Sequence, residues 1–283
     1  MGLALNVGYF RTWYGNFLAT DNQAVTPANY DTYCITAPVD GRLPGGGGNQ
    51  LCGLYDVTPT LFGRVSNVVT RASNFGTQTE VFNGVDVTLN ARFAQGGQVS
   101  GGMSTGRTVT DNCYQNSDPT LVVQGSVTTS QSPRTQAFCH VRPPWSAATQ
   151  LKFLVVYPLP WRLQISATYQ NLPGIPITAT YVATNAQVVP SLGRNLASGA
   201  AGTATIDLIP AGTLYEDRIQ QLDVRFSRLF QFGRVKVRGN FDIYNALNAS
   251  PILSTNTRYG AQWLNVQQIL AGRLFKFGGQ LDF

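Results

Sequence analysis

The chain has 283 residues, of which 20 are Lys or Arg and 14 are Asp or Glu, giving a net charge of +6. That length holds one large β domain or two ordinary ones. Mean hydropathy is near zero, and the most apolar stretch, 151–161, is short and carries Lys152 and two prolines; a spanning helix needs about 20 apolar residues, so a helical membrane protein is excluded. The basic residues are spread along the chain, which argues against nucleic-acid binding and permits, without demanding, attraction to an anionic membrane.

Segments that alternate apolar and polar recur along the chain, and a period of two predicts strands. Over 3–14, Leu3, Leu5, Val7, Tyr9, Arg11 and Trp13 face one way and Ala4, Asn6, Gly8 and Thr12 the other. A long polar stretch with Gly45 to Gly48 and several prolines follows. Over 80–93, Val81, Val85, Val87, Leu89, Ala91 and Phe93 oppose Glu80, Asp86, Thr88, Asn90 and Arg92. Gln95-Gly96-Gly97 reads as a tight turn, and 98–109 runs back. A second long loop covers 110–146, a strand covers 151–157, and Pro158-Leu159-Pro160 turns the corner. In the returning strand, 161–170, Leu163, Ile165, Ala167 and Tyr169 oppose Arg162, Gln164, Ser166, Thr168 and Gln170. A third long loop fills 171–218. Strand 222–230, the turn Gln231-Phe232-Gly233 and strand 234–245 come next, the last with Val235, Val237, Phe241 and Ile243 opposing Lys236, Arg238, Asn240, Asp242 and Tyr244. After a medium loop, 273–283 sets Phe275, Phe277, Gly279, Leu281 and Phe283 against Leu274, Lys276, Gly278, Gln280 and Asp282.

About eight strands result, with long and short connections in alternation and a bulky aromatic at the end. That rhythm predicts an all-β fold: an antiparallel up-and-down transmembrane β-barrel segment, apolar toward lipid and polar toward the lumen. The strands suit the roughly 9–11 residues that a tilted spanning strand needs. The predicted lumen lining is Asp86, Arg92, Arg162, Gln164, Asp223, Arg225, Lys236, Arg238, Asp242, Lys276 and Asp282. The predicted lipid face of the last strand is Phe275, Phe277, Leu281 and Phe283. The short turns and the C-terminus belong on the periplasmic side and the long loops outside. Tyr9, Trp13, Tyr157, Trp161, Phe230 and Phe232 sit near strand ends, where interfacial girdles require aromatics. Arg11 and Arg228 fall on the apolar face, close enough to the rims to snorkel into the headgroups.

Four cysteines allow three connectivities. The sequence-local choice pairs Cys34 with Cys52 and Cys113 with Cys139, in loops of a secreted or surface protein. There is no C-x-x-C and His140 is the sole histidine, so no zinc site is expected. Gly102-Met-Ser-Thr-Gly106 matches G-x-S-x-G, but that motif requires a strand, a sharp turn and a helix; here Ser104 lies inside an alternating strand. Gly45 to Gly48 lacks a following Lys-Ser/Thr and reads as a flexible loop tip. Carboxylates Asp86, Asp223, Asp242 and Asp282 read as solvated lumen charges offset by nearby Arg and Lys. No catalytic residue, metal or cofactor is expected, and the chain reads as a non-enzyme.

The C-terminal third resembles the end of the barrel of TonB-dependent receptors, the large transporters of the Gram-negative outer membrane. The resemblance rests on Leu222-Asp-Val-Arg-Phe, on Val237-Arg-Gly-Asn-Phe-Asp-Ile-Tyr-Asn-Ala-Leu-Asn248, on Tyr259-Gly260, Trp263 and Ile269-Leu270, and on the last strand ending in Phe283. Upstream, Tyr55-Asp-Val-Thr-Pro and Tyr181-Val-Ala-Thr-Asn185 look like loops of the subgroup with an N-terminal carboxypeptidase-regulatory-like domain. The resemblance implies a wall of about 22 strands plugged by an N-terminal domain. With about eight strands, and no plug, TonB-contacting segment or export signal in view, residues 1–283 read as a partial barrel domain whose edges, 3–14 and 273–283, are open. The implied function is uptake of a scarce nutrient across the outer membrane. The implied partners are outer-membrane lipid, the barrel-assembly machinery through the C-terminal strand, TonB only through the plug, and an unidentified small ligand at the loops. Two other readings stay open: a self-contained small structural or adhesive barrel, and a soluble secreted β-sandwich that binds glycans.

Overall fold

The computed structural model describes residues 2–93, 96–122, 130, 133, 135 and 138–282. The strands run β1 (Gly2–Tyr14), β2 (Leu18–Asn22), β3 (Tyr30–Thr36), β4 (Gln50–Val57), β5 (Asn67–Arg71), β6 (Thr79–Arg92), β7 (Gln98–Asp111), β8 (Leu121–Val122) and β9 (His140–Val141). They continue as β10 (Gln150–Leu159), β11 (Leu163–Leu172), β12 (Thr180–Thr184), β13 (Thr203–Asp207), β14 (Ile219–Phe232), β15 (Val235–Tyr244), β16 (Ile252–Thr255), β17 (Val266–Ile269) and β18 (Leu274–Asp282). Two short helices, α1 (Tyr114–Ser117) and α2 (Asn185–Leu192), lie in the connections.

The long strands form one antiparallel sheet in the order β1-β6-β7-β10-β11-β14-β15-β18, with β9 added at the end of β7. Every neighbour on that path except β1–β6, β7–β10, β11–β14 and β15–β18 is joined by a tight turn. At the β10–β11 turn Trp161 and Arg162 both adopt positive φ, 60° and 59°, and the Leu163 amide donates to the Pro160 carbonyl at 3.3 Å. Two consecutive left-handed residues give the turn whose twist matches the flanking strands. Gly233, with φ 62°, serves the β14–β15 turn. Gln95 and Phe283 lie outside the described residues.

Register fixes the two faces of this sheet. One row crosses six strands as Leu5, Leu89, Gly101, Phe153, Tyr169 and Leu222. Others read Ala167, Val224, Ile243, Phe275 and Ile165, Phe226, Phe241, Phe277. On the reverse face the corresponding rows read Ser166, Arg225, Asp242, Lys276 and Gln164, Ser227, Asn240, Gly278. Because side chains alternate strictly along a strand, a slip of one residue would turn every phenylalanine to the polar side. Phe241 stacks on Phe277 at 4.9 Å and on Phe275 at 6.0 Å between centroids. The apolar face is uncovered: Leu5, Phe277 and Leu281 are 61%, 79% and 58% exposed. A β-sandwich would bury that face against a second sheet, so the sandwich expectation does not describe this chain. The sheet is also open. Among the described residues β1 and β18 each pair on one side only, and no closed barrel forms.

Gly102 shows how tightly the wall is drawn. A Cβ there would lie 1.9 Å from the Val87 carbonyl oxygen on β6, so only glycine lets the two backbones approach this closely.

The strand ends joined by short connections, β6 to β7, β10 to β11 and β14 to β15, all lie at one end. The connections 15–78, 173–218 and 245–273, and the described residues of 112–149, leave the other. The sequence alone predicts loops for the long ones, and the structure differs. They fold into small sheets, β5-β2-β8, β3-β4, β12-β13 and β16-β17. β3-β4 and β12-β13, with α2 and Trp263, enclose a core of their own, in which Tyr33, Ile35, Leu54, Val188, Leu196, Ile206 and Trp263 are almost fully buried, and β5-β2-β8 packs a separate smaller cluster of Ala19, Ala72 and Leu121. Burying one such side chain is worth roughly 1.5–3 kcal/mol, enough collectively to order short strands that are marginal alone. Disulfide Cys34–Cys52 ties β3 to β4, and Cys113–Cys139 ties the segment after β7 to the one before β9. The Gly45–Gly48 stretch is likewise no free tip. All four glycines have positive φ; the Gly46 amide donates to Leu43 at 2.9 Å and its carbonyl accepts from Asp40 at 2.9 Å.

Candidate functional site

The polar face of the long sheet carries the side chains that the alternation assigned to a lumen, and register brings some of them together. Arg225 grips Asp242 with two bonds, Nε to Oδ1 at 2.5 Å and Nη2 to Oδ2 at 3.0 Å, and Lys276 follows Asp242 in the same row. A bidentate guanidinium–carboxylate pair fixes both partners in one geometry. Asp223, on the neighbouring row, accepts both bonds from the Gln221 amide and one from the Asn245 backbone N–H. Asp223, Arg225 and Asp242 line a depression of about 210 Å³ with Ser166, Thr168 and Tyr244. Toward the short turns, Arg162 reaches Gln231 at 3.2 Å, Lys236 pairs in register with Gln231 and Asp282, and Arg238 with Gln280. Gln164 shares a row with Ser227 and Asn240, which bond at 2.7 Å.

Asp86 and Arg92 stand apart, on β6. Asp86 accepts the Ser104 hydroxyl at 2.6 Å, and with Gln150 and Lys152 the pair edges a second depression of about 340 Å³ over Gly102. Arg92 sits opposite Gly2 and Gln98 at the short-turn end. The face is therefore a distributed lining of hydrogen-bonding groups rather than one converging cluster. Ser104 and His140 belong to different pairs: His140 Nδ1 lies 3.1 Å from Asp111 Oδ2. Among the described residues no three His, Cys, Asp or Glu side chains converge as metal ligands would, and no helix is long and apolar enough to cross a membrane, a statement that does not bear on strands.

The cap holds two networks that sequence reasoning missed. In the first, Arg42 forks onto Asp40, donates to the Trp263 carbonyl at 3.3 Å and lies 5.0 Å above the Trp263 ring. Tyr259 donates its hydroxyl to Asp40 at 3.2 Å and meets Tyr181 edge-on at 5.8 Å. The Arg42 guanidinium beside it holds the Asp40 carboxyl well below the usual carboxylate range. Burial, and then the bond to Asp40, raise the Tyr259 phenol. In the second, Arg194 bonds Asp31 at 2.7 Å and Asp56 at 2.5 Å, and Asp56 also accepts the Ala197 amide. Burial pushes the Asp56 carboxyl up, and Arg194 and Ala197 offset part of that push. Both networks stitch together connections far apart in the chain. The signal in the sequence was the pair of motifs Tyr55-Asp-Val-Thr-Pro and Tyr181-Val-Ala-Thr-Asn185. The first supplies Asp56 from the end of β4; the second runs along β12 into α2, where Thr184 and Gln187 form a capping box.

No family model matches the chain, and no curated protein does. Among solved structures it is similar to the outer membrane transporter YddB from Escherichia coli, with 11% identity and a TM-score of 0.37. The match covers 75% of this chain and 26% of that one, so the chain spans about a quarter of the transporter's length.

Proposed function

We propose that residues 1–283 form part of the wall and outer cap of an outer-membrane transport barrel, of the TonB-dependent kind that the C-terminal motifs resemble. One observation carries this reading: an uncovered apolar face running in register across the strands, backed by a polar face. Water disfavours such a surface, whereas hydrocarbon requires it. The wall strands, nine to fourteen residues long, suit a tilted span of roughly 9–11 residues. The polar face then lines an aqueous lumen, the short turns face the periplasm, and the cap meets ligand from outside.

The open edges fit the same reading. Unpaired backbone groups in hydrocarbon cost several kcal/mol each. In this proposal β1 and β18 therefore take neighbours from strands beyond this chain, in a wall of about 22. The chain acts by enclosing and contacting a small ligand, not by catalysis, and coupling to TonB belongs to a plug elsewhere.

The test uses the full chain refolded from detergent into phosphatidylcholine vesicles. It is expected to float with the lipid, and protease is expected to cut within the cap connections while the wall strands survive. A stable, detergent-free soluble monomer whose wall strands are cut as readily as its cap overturns the reading.

A further inference from the structure

We propose that the apolar face of β1, β6 and β7, at its cap end, seats a phosphate-bearing lipid headgroup; this rests on the membrane reading above. Register sets three side chains abreast: Arg11 opposes Asn83, and Asn83 opposes Arg107. All three project from the apolar side, directly beyond rows that read Tyr9, Val85, Thr105 and Val7, Val87, Met103. A charge at the bilayer midplane costs about 2–4 kcal/mol and near the interface about 0–1, so this row marks headgroup level. Trp13, 72% exposed, stands in the next row out.

The groups are held ready. The Arg107 guanidinium stacks 5.3 Å from the Trp145 ring centroid, and stacking leaves its N–H edge free to donate. Trp145 is anchored in turn, its carbonyl accepting the Thr149 hydroxyl at 2.8 Å. The Tyr9 hydroxyl donates to Asn83 Oδ1 at 2.8 Å, which leaves the amide's NH2 end as a donor between the two arginines. Among the described residues neither Arg11 nor Arg107 is in an ion pair. The one carboxylate on this face of the three strands, Asp111, is engaged by His140 and the Cys113 amide. Neighbouring strands lie about 4.8 Å apart, so the two arginines, one strand between them, can both reach a single phosphate. A phosphomonoester carries about −1.5 to −2 charges and three acceptor oxygens, which suits two forked donors and an amide. The apolar rows below choose a lipid over a free ion, because they would take the acyl chains. Arg228, at the opposite rim of the same face, differs: it stacks on Phe230 at 5.0 Å, and its register neighbours are Leu163 and Gly239.

The probe is phosphatidic acid, doped into phosphatidylcholine vesicles and compared with pure phosphatidylcholine. The wild-type chain is expected to favour the doped vesicles, with a preference that fades as salt rises. Arg11→Gln and Arg107→Gln are each expected to lower that preference about fivefold, Arg11→Lys to retain most of it, and Arg228→Gln to leave it unchanged. Inorganic phosphate is expected to compete poorly. A wild-type chain that floats equally well with both vesicles overturns the headgroup site while leaving the membrane reading intact. So does equal loss from Arg228→Gln, or full competition by inorganic phosphate. Failure to float with either vesicle instead removes the membrane reading itself.

Discussion

Asn245 and Asn248, in the Tyr-Asn-Ala-Leu-Asn run, show what a short motif does physically. Both adopt positive φ, 49° and 53°, a region that asparagine tolerates better than most residues. Asn245 is 3% exposed. Its amide donates to the Ala249 and Ala271 carbonyls and accepts the Ala249 N–H, while its backbone N–H bonds Asp223. Asn248 accepts the Arg273 N–H, and the Arg273 guanidinium returns to the Ala246 carbonyl. The run therefore ends β15 and sets where β18 begins. Asn245→Ala strands three backbone groups and is expected to destabilise the chain by about 2–4 kcal/mol, since each buried unsatisfied group costs roughly 1–3 and neighbours relax. The urea midpoint of the refolded chain in detergent measures it. Asn245→Gly, which relieves the backbone but loses the same bonds, should recover a minor part. An Asn245→Ala chain that unfolds at the wild-type urea concentration would show the motif is not structural.

At the scale of elements, legibility tracked length and locality. The wall strands could be read because a period of two over nine or more residues leaves few alternatives, as β18 shows. The cap could not. β13 alternates, burying Ala204 and Ile206, but it is five residues long and sits in a stretch rich in turn formers. α2 carries Pro190 in its interior, a residue that argues against a helix when no tertiary partner is in view. The cap networks were hidden for a different reason. Arg42 meets Trp263 across 221 positions and Tyr259 meets Asp40 across 219, and no local pattern encodes such a pairing. The polar face of the long sheet, by contrast, followed from strand parity alone, although only register revealed which of its members touch. The Asp40 network makes a pH prediction. Its carboxyl is depressed in the folded chain, so its contribution is present above the unfolded carboxylate pKa, about 3.9, and is lost as pH falls below that value. In a chain whose other three tryptophans are replaced by phenylalanine, Trp263 emission should hold steady at neutral pH and change only on strong acidification. Asp40→Asn should show the changed emission at neutral pH and no acid transition. A wild-type transition near neutrality would assign the response to another group.

The whole molecule divides into a long sheet with one apolar and one polar side and a cap with a core of its own, and its tryptophans sample both. Trp13 lies at the cap end of the apolar face and is 72% exposed; Trp161 is in the β10–β11 turn at the far end and is 79% exposed. Trp263 is 1% exposed inside the cap, with its indole N–H committed to the Thr178 carbonyl at 2.8 Å. If the apolar face meets hydrocarbon, Trp13 and Trp161 sit at opposite interfaces, where amphipathic rings are favoured. In single-tryptophan chains reconstituted in lipid, bromine placed high on the acyl chain should quench both strongly, and bromine near the bilayer centre should quench both less. Trp263 should be indifferent to either, and Trp145, 36% exposed and stacked under Arg107, should fall between. The pattern discriminates because aggregation through the open edges would expose the tryptophans to lipid without any depth preference. Equal quenching of Trp13 and Trp263, or no dependence of Trp161 on bromine depth, would mean that the apolar face does not lie against the bilayer.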